Sequence, residues 1–97
     1  MMTGGYTGTL LELDLSRHTA QRRPTGDELI RDYLGGRGFV AKLLWDLVPR
    51  GTDPLSPQNV VVIAPGPLGG VCFPSTGRVH MGTKSPATGG YGDSNMG

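Results

Sequence analysis

At 97 residues the chain is one domain at most, long enough for a modest hydrophobic core but too short to enclose a large active-site cavity by itself. Nine Lys and Arg against eight Asp and Glu leave a formal charge of +1, which removes any bulk attraction to nucleic acid or anionic membrane. A single cysteine excludes an internal disulfide, and with no signal-like start and no apolar run of about 18 residues the reading is a soluble, cytoplasmic chain without a membrane span.

From Tyr6 to Leu15 hydrophobicity alternates, with Leu11, Leu13 and Leu15 on one face and Glu12 and Asp14 on the other, the period-two pattern of a half-buried strand. Ser16-Arg17-His18 reads as a turn, after which Thr19 to Arg23 returns antiparallel as a polar edge strand. Thr25 and Glu28 have the spacing of a capping box. A short helix is therefore expected there, striped by Leu29, Ile30, Tyr33 and Leu34 and ended by Gly35-Gly36. A second helix is expected from about Arg37 or Gly38 to Val48, where Pro49 blocks continuation; Phe39, Val40, Leu43, Leu44 and Leu47 share one face. Lys42 and Asp46 form an i,i+4 pair on the opposite side. Trp45 falls outside the stripe, so it lies at the surface or against something this chain does not contain.

Thr52 to Pro57 is a proline-punctuated loop, and Val60-Val61-Val62-Ile63 is a continuous apolar run of the kind found in a central strand covered on both faces. Pro65-Gly66-Pro67 stops it. With 17 Gly and 8 Pro the composition approaches that of low-complexity chains, but the apolar runs argue for a folded domain. From Gly69 onward the pattern is irregular loop interrupted by strands at Gly77 to Lys84 and about Gly89 to Ser94.

The segment Gly77 to Lys84 carries the most chemical information. Arg78, His80, Gly82 and Lys84 alternate onto one face, giving a basic surface with a glycine gap. A guanidinium presents a fork to phosphate oxygens, a lysine presents a point charge, and Gly82 lets a flat ring or a backbone come close. The competing reading is the solvated outer face of an edge strand. Ser85 to Gly90 and the run Tyr91 to Gly97 have little side-chain obstruction, so their amides can turn toward phosphate; neither a Walker loop nor a GxGxxG fingerprint is present. His18 reads as a solvated turn residue, and His80 has no carboxylate partner that spacing assigns. Cys72 reads as a small buried hydrophobe. Asp27, Glu28, Asp32 and Asp46 are accounted for by helix capping and surface pairing.

Taken in order, Gly35-Gly36-Arg37-Gly38, Asp53-Pro54-Leu55-Ser56-Pro57, Ala64-Pro65-Gly66-Pro67-Leu68-Gly69-Gly70, Gly77-Arg78 and Thr83-Lys84-Ser85-Pro86-Ala87-Thr88-Gly89 resemble the opening of the tungsten-containing aldehyde:ferredoxin oxidoreductase family. The resemblance implies an α+β fold, mostly antiparallel or mixed β-sheet with two short helices, forming half of a pseudo-twofold base on which a tungsten bis-pterin of the molybdopterin type rests. Residues 1–97 would then be a partial N-terminal tungstopterin-binding domain, inactive alone. It further implies that backbone at Arg78, Asn95 and Gly97 binds the pterin phosphates, and that the Asn95 carbonyl helps to hold a magnesium ion; the Arg78 side chain is added on its own chemistry. The metal in such enzymes is held by dithiolene sulfur, so no Cys or His ligand cluster is expected here.

The iron-sulfur cluster, the acid-base residues and the second pterin loop belong to later parts of these enzymes, and Gly97 stops inside a motif. The remainder of the enzyme is thus the first implied partner, with ferredoxin and an aldehyde for the complete protein and no nucleic acid or membrane. Two alternatives stand beside this one. The chain is part of a related aromatic acyl-thioester reductase, or it is a non-catalytic binding module that self-associates into a homo-oligomer through exposed apolar surface.

Overall fold

A computed structural model describes residues 6–69, Pro74 and residues 77–96. The expectations for Cys72 and Gly97 fall outside these residues.

The chain opens with a hairpin in which β1 (Thr9–Asp14) pairs antiparallel with β2 (Thr19–Pro24), with Leu11 opposite Arg22 and Leu13 opposite Ala20. The turn between them is closed by Asp14, whose Oδ1 accepts from the amides of Ser16 and Arg17, and His18 takes a positive φ of 56°. Arg23 Nη1 donates to Glu12 Oε2 at 2.9 Å on one face. The leucine face, expected to be half-buried, is instead largely exposed, because among the described residues the hairpin touches no other helix or strand.

Helix α1 (Asp27–Tyr33) starts one residue later than the capping box predicted. Gly26 occupies the cap at φ 87°, and no side chain caps the helix. Asp27 and Glu28 still place negative charge in the first turn, where the helix dipole favours it. The end of α1 is abrupt. Gly35 donates its amide to the Tyr33 carbonyl at 2.7 Å around Leu34, which is held at φ 65° and ψ −52°, the strained sense of a γ-turn. The Tyr6 hydroxyl donates to the Leu34 carbonyl, and the Tyr6 ring stacks on Phe39 with centroids 6.2 Å apart.

Helix α2 (Gly36–Leu47) begins slightly earlier than predicted and ends one residue short of Val48, which is already extended ahead of Pro49, whose missing amide could not continue the ladder. Its stripe points inward: Phe39, Val40 and Leu44 are buried, with Leu43 packed partly against them, whereas Leu47 sits at the margin. Lys42 Nζ reaches Asp46 Oδ1 at 3.0 Å on the outer side. Trp45 is 84% exposed.

A three-stranded antiparallel sheet receives α2. Its order is β3 (Val62–Pro65), β4 (Val79–Lys84), β5 (Tyr91–Met96). The apolar run predicted as a central strand is therefore an edge among the described strands, and β4 is central. Ala64 faces the helix and is buried, whereas Val61 and Ile63 are 57% and 58% exposed on the other face. Thr83 Oγ1 donating to the Val60 carbonyl at 2.8 Å, and Asn59 Nδ2 donating to the Pro54 and Lys84 carbonyls, tie the proline-punctuated loop to β4. The architecture is α+β, with two helices and two small antiparallel sheets among the described residues.

Candidate functional site

The register of the sheet brings distant motifs together. Pro65 pairs with Val79, and Val79 pairs with Met96, so β3 ends, β4 begins and β5 ends at one side of the sheet. Pro65-Gly66-Pro67, Arg78 and Asn95 therefore share that end. The start of α2 joins them. A Cβ on Gly35 would stand 3.0 Å from Pro67 Cδ and 3.4 Å from the Pro65 carbonyl oxygen, and one on Gly38 would stand 2.1 Å from the Tyr33 carbonyl oxygen. Glycine is required at Gly38 because backbone presses on backbone there, and at Gly35 because its φ of 152° is one that L side chains rarely adopt, with the Pro67 ring close by.

Arg78, just before β4, is exposed and makes no ion pair with another described residue. His80, two residues on, is only 5% exposed. The face of β4 that carries His80 and Gly82 lies under α2, so it is neither a solvated outer face nor an open basic cradle. The glycine gap at Gly82 is already filled: a Cβ there would come within 2.5 Å of Val40 Cγ1 and 3.0 Å of Tyr91 Oη. The close ring is the chain's own tyrosine.

His80 has the carboxylate neighbour that spacing alone did not assign. Its Nε2 lies 3.2 Å from Asp93 Oδ2 and 3.1 Å from Tyr91 Oη, and its Nδ1 lies 2.7 Å from Asn95 Oδ1. Since an amide oxygen can only accept, Nδ1 carries the proton and donates to Asn95. Arg37 Nε stands 4.0 Å from Asp93 Oδ2, linking α2 to the same cluster. Tyr91 is half exposed as a residue, but its hydroxyl sits at His80. Burial, and then the charge of Asp93, hold the phenol above its ordinary pKa, with Arg37 opposing. The signal that reveals this cluster is the hairpin register: once Lys84 is opposite Tyr91, residues 91, 93 and 95 must share a face with His80.

The glycine-rich turn does something else than expected. Ser85 to Gly90 closes the β4–β5 hairpin at the far end of the sheet. The Ser85 amide donates to the Gly90 carbonyl at 2.7 Å, the Gly89 amide to the Ser85 carbonyl at 2.8 Å, and the Ala87 and Gly90 amides to the Ser85 and Thr88 hydroxyls. Those amides are occupied within the turn, and Tyr91 to Met96 form a regular strand. Asn95 stands on that strand, on the same end as Arg78. Among the described residues no group of three or more His, Cys, Asp or Glu could hold a metal ion, and no helix is long and apolar enough to cross a membrane.

Residues 10–97 match the family model described as aldehyde ferredoxin oxidoreductase, N-terminal domain. The chain is 40% identical over 85 residues to a tungsten-containing aldehyde ferredoxin oxidoreductase of Thermococcus kodakarensis, covering 88% of this chain and 14% of that protein. It is 39% identical over 94 residues to the protein of the same name from Pyrococcus horikoshii, covering 96% of this chain and 15% of the relative. Among solved structures it resembles a chain of the active-site complex BamBC of benzoyl coenzyme A reductase in complex with 1,5-dienoyl-CoA, with a TM-score of 0.94 and 38% identity, over 99% of this chain and 15% of that one. The chain thus spans about one seventh of the relatives it matches.

Proposed function

The chain belongs to the aldehyde ferredoxin oxidoreductase family, matching its N-terminal domain, and from that premise we propose that it is the N-terminal part of a tungsten-pterin oxidoreductase, in which it seats the phosphates of the cofactor. The observation that carries this reading is the convergence of Arg78, Asn95 and Pro65-Gly66-Pro67 at one end of the sheet.

The residues at that end suit the group. Arg78 offers an exposed guanidinium, which binds phosphate oxygens through parallel N–H bonds. Asn95 lies on β5, at the edge of the described sheet, and its side-chain oxygen is already engaged by His80, so the oxygen it has left to offer a cation is its backbone carbonyl. A carbonyl oxygen is a ligand that magnesium accepts, and magnesium keeps its other positions for water and phosphate. Gly97 completes the proposed set. When bound, the tungsten-pterin supplies the two-electron chemistry that oxidises an aldehyde to a carboxylic acid, with electrons leaving through an iron-sulfur cluster to ferredoxin. This chain's residues bind and orient; the cluster and the acid-base groups come from the remainder of the enzyme, and the half-base formed here pairs with a second, pseudo-symmetric half.

In the complete enzyme, Arg78→Ala should lower pterin content more than it lowers the thermal stability of the cofactor-free form, as measured by pterin fluorescence after oxidation and by calorimetry. Equal losses, or no loss of pterin, contradict the assignment.

A second reading, reduction of an aromatic acyl-thioester, is favoured by the likeness to the benzoyl coenzyme A reductase complex, whose identity of 38% is close to the 40% of the aldehyde-oxidising relative. Assaying the complete enzyme with aldehydes against aromatic acyl-thioesters separates the two.

A further inference from the structure

We infer that His80 is a positioning residue for the phosphate and magnesium seat, locking the Asn95 end of β5 through its side chain so that the Asn95 backbone is held in place. The inference rests on the assignment of Asn95 above and adds a residue that the assignment does not contain.

Three alternate side chains of one edge strand converge on a single buried ring. Asn95 Oδ1 accepts from Nδ1 at 2.7 Å, while Tyr91 Oη and Asp93 Oδ2 lie 3.1 Å and 3.2 Å from Nε2. The ring itself cannot move far, because it is 5% exposed beneath α2 and β4 is the middle strand of the described sheet. Edge strands otherwise have hydrogen-bonded neighbours on one side only and fray from their ends. Asn95 sits one residue from the end of β5, where that loosening would be greatest. The Nδ1 contact counters it at the position that matters.

The arrangement also accounts for an asparagine where only a backbone carbonyl is needed. A side chain left loose would compete for its own neighbouring backbone groups. Here its oxygen is taken up by the imidazole, so the residue is anchored by its side chain and serves by its main chain. This is the logic of outer-shell partners at metal sites, whose loss lowers metal affinity about 10- to 100-fold.

The two ring nitrogens can be tested separately, because an asparagine side chain places its amide nitrogen where Nδ1 stands and a glutamine places its own where Nε2 stands. In the complete enzyme, His80→Leu and His80→Gln should weaken magnesium binding by about tenfold or more, read by titrating the metal-stripped enzyme with magnesium chloride, and should lower pterin content. His80→Asn should restore both toward the unsubstituted values. Arg78→Ala runs alongside as the test of the seat itself. If Arg78→Ala loses pterin but His80→Leu and His80→Gln bind magnesium normally, the positioning role is wrong and the seat stands. If His80→Asn loses as much as His80→Leu, the ring acts by packing and the inference fails. If Arg78→Ala, too, keeps full pterin, the seat is misplaced and the inference falls with it.

Discussion

The three-stranded sheet and the β1–β2 hairpin are both antiparallel, yet they are stabilised differently. In the sheet, α2 closes one face: Val40 fills the notch at Gly82, and Phe39, Leu44 and Ala64 complete the buried cluster. In the hairpin, Leu11, Leu13 and Leu15 line up on one face with no described helix or strand against it. The other side of the sheet resembles the hairpin, with Val61, Ile63 and Met96 exposed. Alternation therefore defines a face, but a second element must arrive to bury it. Where α2 arrives, buried side chains such as His80 are held in place.

The contrast predicts unequal costs for similar substitutions. Leu44→Ala should destabilise by about 2 to 5 kcal/mol, because it opens a cavity in the buried cluster. Leu13→Ala should change stability of this domain by about 0.5 kcal/mol or less, as expected for an exposed position. Urea unfolding of both variants checks the pair, and equal effects would break the distinction. A next, smaller effect is expected of Gly82→Ala, whose methyl must displace Val40 Cγ1 from 2.5 Å; overpacking of this kind costs about 1 to 3 kcal/mol.

Alkaline pH sharpens the comparison further. The Tyr91 phenol is held above the ordinary value of 10.0 in the fold, mainly by burial and then by Asp93. The folded state thus prefers the protonated form, so this contribution is fully present below pH 10 and is lost as pH rises through the folded value. Thermal stability should fall more steeply above pH 10 in the unsubstituted protein than in Tyr91→Phe; parallel profiles would contradict it. The smallest effect is expected at the surface, where Lys42→Ala removes an exposed i,i+4 pair with Asp46 and should lower stability less than any of the other destabilising substitutions, by the same unfolding measurement.

Much of the fold was legible because it rests on local rules. The hairpin, α2 with its inward stripe, the Lys42–Asp46 pair and the stop at Pro49 all follow from period and from proline chemistry. What was not legible depends on tertiary choice. The run at Val60 to Ile63 reads as central, but hydrophobicity alone cannot say whether the second cover lies in the same stretch of chain. Thr25 has a capping residue's chemistry, yet Gly26 takes the cap, and the Thr25 amide bonds to the Gly8 carbonyl. At the proposed site, Arg78 and Asn95 are 17 residues apart in sequence and come to one end of the sheet only through the register of β4 and β5. The His80 cluster follows from the same register, and the glycines from Ser85 to Gly90 mislead because they build a hairpin turn as readily as an anion nest.

The most direct measurement is the structure of the complete protein determined in the presence of the proposed tungsten-pterin and magnesium. Phosphate oxygens should lie within hydrogen-bonding distance of the Arg78 guanidinium, with the magnesium ion on the Asn95 carbonyl. Phosphates resting at the opposite end of the sheet, against the Ser85 to Gly90 turn, would contradict it.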